Sequence, residues 1–545
     1  LWVLLASAGL VLLVACANVA NLFLVRSETR QREIAVRRAL GAGSRSIGRY
    51  FFSESALLAA VGGTLGLGLA WGGVRLLVAF GPATLPRLNE IAIDGIVIAF
   101  SLALSIVAAI VFGTIPVLKL APLATTLQEH GRGQTASRAS YRARQLLMGG
   151  QVALALILLI ASGLMVRSFQ KLRAIDPGFD PSSALTFSVA LPQIGYPTRQ
   201  TAAEVHRRIL DRLAGIPGVS GASTSTCLPL SFLCYGNGLL IEGELPDANR
   251  ARPFVGFRGV AGGYTDVMRM PLLRGRTLTR DDVDRSEPNV VVNKALADAY
   301  LPGQDPIGRR IRSSRSGTPW LMIVGVVANT PTVSLGEPGP MGQIFMPLSM
   351  AGGPDIPREA LIGPGITTMN YVVRSTVPPS SLVPAVRRAI DEVDPDLAIA
   401  QVRTLQDLVD RASDQMSFTM VLLAIAATVA LLLGAIGIYG VISYIVAQRT
   451  GEIGVRLAMG ADPRHVAGMI LRQGGTVTVV GIIVGLIAAL ASSQLIRSLL
   501  YGVSPRDPVV FSLTTAGLLV IALLACWLPA RRAARLSPLE ALRTE

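Results

Sequence analysis

The sequence predicts a multi-span α-helical membrane protein that carries an α+β domain on one side of the bilayer. Three observations predict it: seven long uncharged apolar runs, a basic loop after every second one, and a motif-bearing unit that occurs twice. Of the 545 residues, 51% are hydrophobic and only 16% charged, where a soluble globular chain carries about 25% charged residues. Mean hydropathy is +0.52.

A membrane-spanning helix needs about 20 consecutive apolar residues. Leu1 to Leu24, Phe52 to Phe80, Ile96 to Leu118, Leu146 to Val166, Phe418 to Val446, Val477 to Leu499 and Val509 to Leu528 meet that requirement. Buried helices of a soluble protein rarely run this long without charge. The chain opens inside the first run, with no Met and no cleavable leader pattern.

Net charge is +15, nearly all of it from arginine, since Lys119, Lys171 and Lys294 are the only lysines. In a soluble protein that excess suggests nucleic acid; its placement here argues against a nucleic-acid partner. Arg26, Arg30, Arg32, Arg37, Arg38, Arg45 and Arg49 follow the first run, Lys119, Arg132, Arg138, Arg142 and Arg144 the third, and Arg449, Arg456, Arg464 and Arg472 the fifth. Arg531, Arg532, Arg535 and Arg543 lie in the tail. Basic loops stay in the cytosol, so the predicted topology places residues 170–415 outside and the tail inside.

The repeat is the most informative feature. Glu33-Ile34-Ala35-Val36-Arg37-Arg38-Ala39-Leu40-Gly41-Ala42 aligns without gaps on Glu452-Ile453-Gly454-Val455-Arg456-Leu457-Ala458-Met459-Gly460-Ala461. The match runs on through Gly62 with Gly481 and Gly66 with Gly485, and each copy closes with a proline, Pro116 and Pro529. The predicted organisation is a three-span unit over 1–145, a separate span at 146–169, an outer domain over 170–415 and a second three-span unit over 416–545. By repeat logic the first unit lacks a leading span and an outer domain of its own, which predicts a longer native chain with eight spans.

Within the outer domain, Ala184 to Leu191, Asn289 to Asn293, Leu321 to Val327 and Tyr371 to Arg374 read as strands. Ala202 to Leu213, Lys294 to Tyr300 and Ser381 to Val393 read as helices, and Gly336 to Met350 as a loop. Val205, Ile209, Leu210 and Leu213 share one helix face, which leaves His206 as a solvated side chain. Cys16 and Cys526 fall in spans as packing residues. Cys227 and Cys234 lie in the outer domain, where either a disulfide or two free thiols is compatible with the sequence.

Each repeated basic segment predicts a short amphipathic helix, with Glu at its start and Gly as a left-handed cap. Such a helix can lie in the headgroup layer against anionic membrane lipid. Recurrence of the same acid, base and glycine in both copies favours a second use, docking on a cytosolic partner. No catalytic signature accompanies it. There is no Gly-Lys pair anywhere, so no phosphate-cradling GxxxxGK[ST] loop. His130, His206 and His465 are scattered, without metal spacing. No charge sits at mid-span, which disfavours ion coupling.

The EIxVRxAxGA segments, the duplicated three-span unit and the tail Pro538-Leu539-Glu540-Ala541-Leu542-Arg543 resemble FtsX-like permeases, the MacB type of ABC transporter subunit. Gly178-Phe179-Asp180, Pro271-Leu272-Leu273-Arg274-Gly275-Arg276 and Asp305-Pro306-Ile307-Gly308 resemble the MacB periplasmic core domain. Two copies in one chain is the pattern of the duplicated orphan permease (ADOP) branch.

The resemblance implies that Glu33, Arg37 and Gly41, with Glu452, Arg456 and Gly460, form two ATPase-coupling helices. It also implies that ATP is bound by a separate ABC subunit, with no cofactor in this chain. The outer domain would move with the ATPase, export a hydrophobic compound, a peptide or a lipoprotein, and meet a periplasmic adaptor or substrate protein. The site would be a bacterial inner membrane, and the working unit would be either a dimer of such chains or one chain that supplies both halves of a pseudo-dimer. The alternatives are a non-transporting regulator of an envelope enzyme and a membrane-anchored receptor or scaffold.

Overall fold

The computed structural model describes residues 2–29, 44–80, 93–118, 138–192, 194–231, 235–243, 254–314, 318–337, 339–351 and 366–535. The chain divides into two compact units, residues 1–171 with 415–545 and residues 172–414.

In chain order the described elements begin with helices α1 (Trp2–Thr29), α2 (Ser44–Phe80), α3 (Gly95–Leu118) and α4 (Arg138–Arg173). The outer unit follows with β1 (Ala184–Ala190), α5 (Arg199–Ala214), β2 (Val219–Ser225), β3 (Gly236–Ile241), β4 (Phe254–Val260), β5 (Leu272–Gly275), β6 (Asn289–Asn293) and α6 (Lys294–Tyr300). It continues through β7 (Arg310–Ser313), β8 (Leu321–Val327), β9 (Gln343–Pro347), β10 (Thr368–Ser375), α7 (Val383–Asp391) and β11 (Ile399–Thr404). The chain then runs through α8 (Leu405–Gln448), α9 (Thr450–Ala458), α10 (Pro463–Ser492) and α11 (Pro508–Ala533).

Six helices among the described residues are long and apolar enough to cross a bilayer, α1, α2, α4, α8, α10 and α11. α3 is a seventh apolar helix of 24 residues. At 1.5 Å per residue, α4 with 36 residues and α8 with 44 residues are about 54 and 66 Å long. Both exceed the roughly 30 Å of bilayer hydrocarbon, so each must continue beyond it.

In the membrane unit, α4 packs into one core with α8, α9, α10 and α11. Val152, Leu156 and Ile160 of α4 meet Ile438 and Ile442 of α8, Ile482 of α10 and Leu518 of α11. α1 joins through Leu10 and Val11, which lie against Ala155 and Leu158 of α4 and Ala427 and Ala430 of α8. Small residues let these backbones approach. A Cβ on Gly481 would lie 2.6 Å from the Gly149 carbonyl, and one on Gly485 2.9 Å from Ala153 Cα.

The outer unit has two lobes. Strands β11-β1-β10-β2 form an all-antiparallel sheet in that order. α5 links β1 to β2 and α7 links β10 to β11, both packed on the sheet through Val205, Ile209, Val386 and Ile390 against Phe187 and Tyr371. That connectivity is the split βαβ arrangement of ferredoxin-like folds. The segment between β2 and β10 forms the second lobe. Its strands run β4-β3-β7-β8-β6-β9, and parallel pairing of β9 back onto β4 closes the ring. Closure removes the exposed edges. Val255, Phe257, Val292, Ile311, Ile323 and Ile344 fill the interior. The sheets of the two lobes meet at one residue pair, Ser225 with Val260.

Two sequence expectations are corrected. Gly336 to Met350 is not all loop: Gln343–Pro347 is β9, every residue of it buried, and it is the strand that closes the barrel. Its glycine- and proline-rich flanks hid the short apolar core Ile344-Phe345-Met346. His206 is not solvated: it is 0% exposed, with Nε2 2.8 Å from the Ile366 carbonyl and Nδ1 2.6 Å from the Tyr371 hydroxyl. Nε2–H donates to the carbonyl and Nδ1 accepts from the phenol, which fixes the neutral tautomer. Burial depresses its pKa to about 4, against a smaller upward pull from the Ile366 bond.

Candidate functional site

α9 lies between α8 and α10 and is the second copy of the repeated basic segment. Its position is fixed from one side: Ile453 is 2% exposed in the membrane-unit core, and Gly454 beside it is also buried. Helical periodicity then turns Glu452, Val455, Arg456 and Met459 outward; Val455 is 45% and Met459 83% exposed.

Two charged groups on that face are ordered. Arg456 Nη2 donates to Glu452 Oε1 at 2.6 Å, an i,i+4 pair with the acid on the N-terminal side, the favourable sense. Arg449 Nε lies 4.0 Å from Glu452 Oε2, and Arg456 Nη1 reaches Met469 Sδ at 3.2 Å. Glu452 sits in the first turn and Arg456 in the last, so both complement the helix dipole. Pairs this exposed contribute only about 0.2–0.5 kcal/mol to the helix; their effect is to hold both side chains in a fixed outward array.

Gly460 ends the helix at φ +88°. Its N–H bonds to the Leu457 carbonyl at 3.0 Å and that of Ala461 to the Arg456 carbonyl at 3.0 Å, the paired bonds of a Schellman cap. Asp462 then caps α10, accepting from Arg464 N–H at 2.8 Å, with Pro463 in the first turn. The sharp cap is why the sequence needs glycine at this position.

Three of the six predicted site residues are thus brought together on one short helix and its cap. Glu33, Arg37 and Gly41, their first-copy counterparts, lie outside the described residues. Met459 and Val455 were not picked out from the sequence, because a lone apolar residue at a polar helix position reads as core until burial is known. Cys227 is buried and disulfide-bonded; Cys234 lies outside the described residues. Cys16 and Cys526 are free.

The outer-unit motifs hold structure. Asp180 pairs with Arg269 at 2.7 Å and Arg374 at 3.3 Å. Arg276 grips Asp282 with two bonds of 2.6 and 3.0 Å, which, with bonds from Asn289 and Thr279, hold the Asp282 carboxyl well below the usual carboxylate range. Gly308 turns at φ +81°. At the base of this unit, Thr404 and Asp407 exchange bonds of 2.9 and 3.0 Å to start α8, and Arg173 at the end of α4 lies 3.8 Å from Asp410 of α8.

Long apolar helices before and after an α+β unit in the chain, with an ordered charged helix between two of them, define a multi-pass membrane protein of the permease class. The family profile described as FtsX-like permease C-terminal matches residues 5–123 and again 424–538. The MacB-like periplasmic core domain profile matches residues 152–404. The chain belongs to the MacB/FtsX-like ABC transporter permeases.

Among curated relatives, it is 28% identical over 288 residues to the macrolide export ATP-binding/permease protein MacB of Wolinella succinogenes, covering 52% of this chain and 42% of that one. It is 26% identical over 332 residues to the pyoverdine export ATP-binding/permease protein PvdT of Pseudomonas putida, covering 56% and 47%. The chain therefore spans less than half the length of these relatives. Among solved structures, the periplasmic region of MacB from Actinobacillus actinomycetemcomitans aligns over 44% of this chain and 97% of that one, at 17% identity and TM-score 0.28.

Proposed function

We propose that this chain is the membrane-spanning permease subunit of an ABC complex in a bacterial inner membrane, driven by a separate ATPase that docks on α9 and its first-copy counterpart. The observation that carries this reading is the outward face of α9. Apolar Val455 and Met459 stand beside an ordered Glu452–Arg456 pair on a helix anchored by Ile453 and stopped by Gly460. An exposed apolar anchor rimmed by fixed charge is the anatomy of a docking surface, and a rigid anchor lets a push on α9 reach α8 and α10.

Motion then has a covalent route. α4 leads into β1 and β11 leads into α8, and β1 and β11 are paired neighbours in one sheet. The relatives named for macrolide and pyoverdine export support extrusion of a substrate, across an outer domain that meets an adaptor or substrate protein.

One chain also supplies both halves of a dimer-like core. α1 and α8 are equivalent helices of the two copies, and the repeat register sets Asn18 opposite Gly437 and Val11 opposite Ala430. Asn18 Oδ1 lies 2.3 Å from a Cβ on Gly437, and Val11 packs on the cluster that includes Ala430, as equivalent positions do across a two-fold axis.

Co-purification of an ATP-binding subunit with the native chain, and about tenfold less of it with Glu452→Ala/Arg456→Ala, is the expected result. Undiminished recovery would place docking elsewhere. Substrate flux in proteoliposomes separates export from the second reading, mechanical regulation of an envelope enzyme, which the unbroken α4 and α8 equally support.

A further inference from the structure

The two lobes of the outer unit are joined where β2 meets β4. Ser225 pairs with Val260, the Thr226 N–H donates to the Gly259 carbonyl at 2.9 Å, and the Ala261 N–H donates to the Thr224 carbonyl at 2.9 Å. A charge is buried at this joint. Arg258 of β4 is 4% exposed, and a guanidinium keeps its proton even there. Among the described residues neither Nη1 nor Nη2 has a hydrogen-bond partner. The guanidinium carbon stands 5.9 Å from the Phe345 ring centre, at the limit of a cation–π contact, and a ring face is only a weak acceptor for N–H.

The groups around Arg258 are donors too, and the acceptors nearby are already engaged. Tyr264, on the helical turn Tyr264–Val267, is buried, with its ring centre 6.2 Å from that of Phe345. Arg258 and Ser225 are its neighbours, yet its hydroxyl makes no hydrogen bond of normal geometry with either. Burial pushes the phenol pKa up, so it stays an O–H donor. Ser223 of β2 carries another buried hydroxyl without a partner. The Ser225 hydroxyl donates to the Cys227 carbonyl at 2.8 Å and accepts from the Cys227 N–H at 3.4 Å. Glu337 is the acid whose charge reaches Arg258. Its Oε1 already accepts from the N–H groups of Thr332 at 3.0 Å and Ser334 at 3.1 Å, and from that of Val333.

A fixed positive charge in a donor-rich, acceptor-poor enclosure has the chemistry of an anion site, because a buried charge is unfavourable until it is paired. We propose that a small monovalent anion of the chloride type binds between Arg258 and Tyr264 and ties β4 to β2 at the joint of the lobes. One such anion balances one guanidinium. Sulfate and phosphate carry more charge than the joint neutralises and lose more hydration on entering it.

The test uses the full chain in lipid nanodiscs, dialysed into sodium gluconate and returned to sodium chloride at the same ionic strength. Amide exchange over residues 254–268 should slow about tenfold when chloride reaches ten times its dissociation constant, because the anion holds only the closed joint. Sodium bromide should act alike and sodium sulfate should not. Arg258→Met, which fills the space without charge, should exchange at one rate in both salts. Where that variant fails to fold, Tyr264→Phe keeps the charge and removes one donor, and it should need about threefold more chloride for the same effect. Ion counting on the dialysed and then denatured chain detects chloride that dialysis left in place. A native chain that neither responds to chloride nor retains it, an equal response to sulfate, or a response that Arg258→Met or Tyr264→Phe leaves unchanged would overturn the proposal.

Discussion

Replacing Gly437 by alanine should unlock the junction between the two copies. Asn18 of α1 donates from Nδ2 to the Leu433 carbonyl of α8 at 2.6 Å, and Gln151 of α4 donates to Asn18 Oδ1 at 3.1 Å. Both side chains fit because position 437 has no Cβ: one there would lie 2.3 Å from Asn18 Oδ1 and 2.4 Å from Gln151 Oε1. The methyl must expel both oxygens. Interhelical hydrogen bonds in membranes contribute about 0.6 kcal/mol each on average and at most about 1.7, and overpacking adds about 1–3 kcal/mol. The expected loss is about 2–6 kcal/mol.

Gly434→Ala, one turn away with nothing within 4 Å, is the control and should be neutral within about 0.5 kcal/mol. Denaturant unfolding in mixed micelles gives both values. Asn18→Ala/Gly437→Ala should cost less than the sum of its parts, since one clashing oxygen is gone. Equal effects of Gly437→Ala and Gly434→Ala would refute the polar junction.

Gly460→Ala forces a left-handed residue at φ +88° and should cost about 1 kcal/mol, read as faster amide exchange over Val455–Ala461 with α10 unchanged. His206 is neutral when buried with a pKa near 4, while an unfolded histidine titrates near 6.5. Its contribution is complete above pH 6.5 and is lost as acid protonates the unfolded chain first, about 2 kcal/mol between pH 7 and pH 5. The depressed carboxyls of Asp180, Asp282 and Asp394 add losses of the same sign only as pH falls through their own lower values. Hydrogen exchange of α5 at pH 7 and 5, with an unchanged profile counting against the buried neutral histidine, checks this. Peptide mapping without reductant should recover Cys227 joined to Cys234; free thiols at both positions would contradict it.

The membrane character was legible because crossing a bilayer imposes a length and polarity on each segment that local sequence must meet by itself. The α9 motif was legible for a related reason, since caps, glycine turns and i,i+4 pairs are short-range. Strands Asn289–Asn293 and Leu321–Val327 stood out as continuous apolar runs. Val219–Ser225 and Ile399–Thr404 did not, being polar strands whose backbone partners lie far away in the chain.

By itself, then, the sequence determined the long apolar helices, the duplication and the charged helix, all of them set by neighbours within a few turns. Only the tertiary structure decided that the outer unit is a split βαβ lobe with an inserted closed barrel, that His206 is buried, and that α1 meets α8 at Asn18 and Gly437. Each of those depends on contacts between residues scores or hundreds of positions apart, which hydrophobic periodicity does not encode.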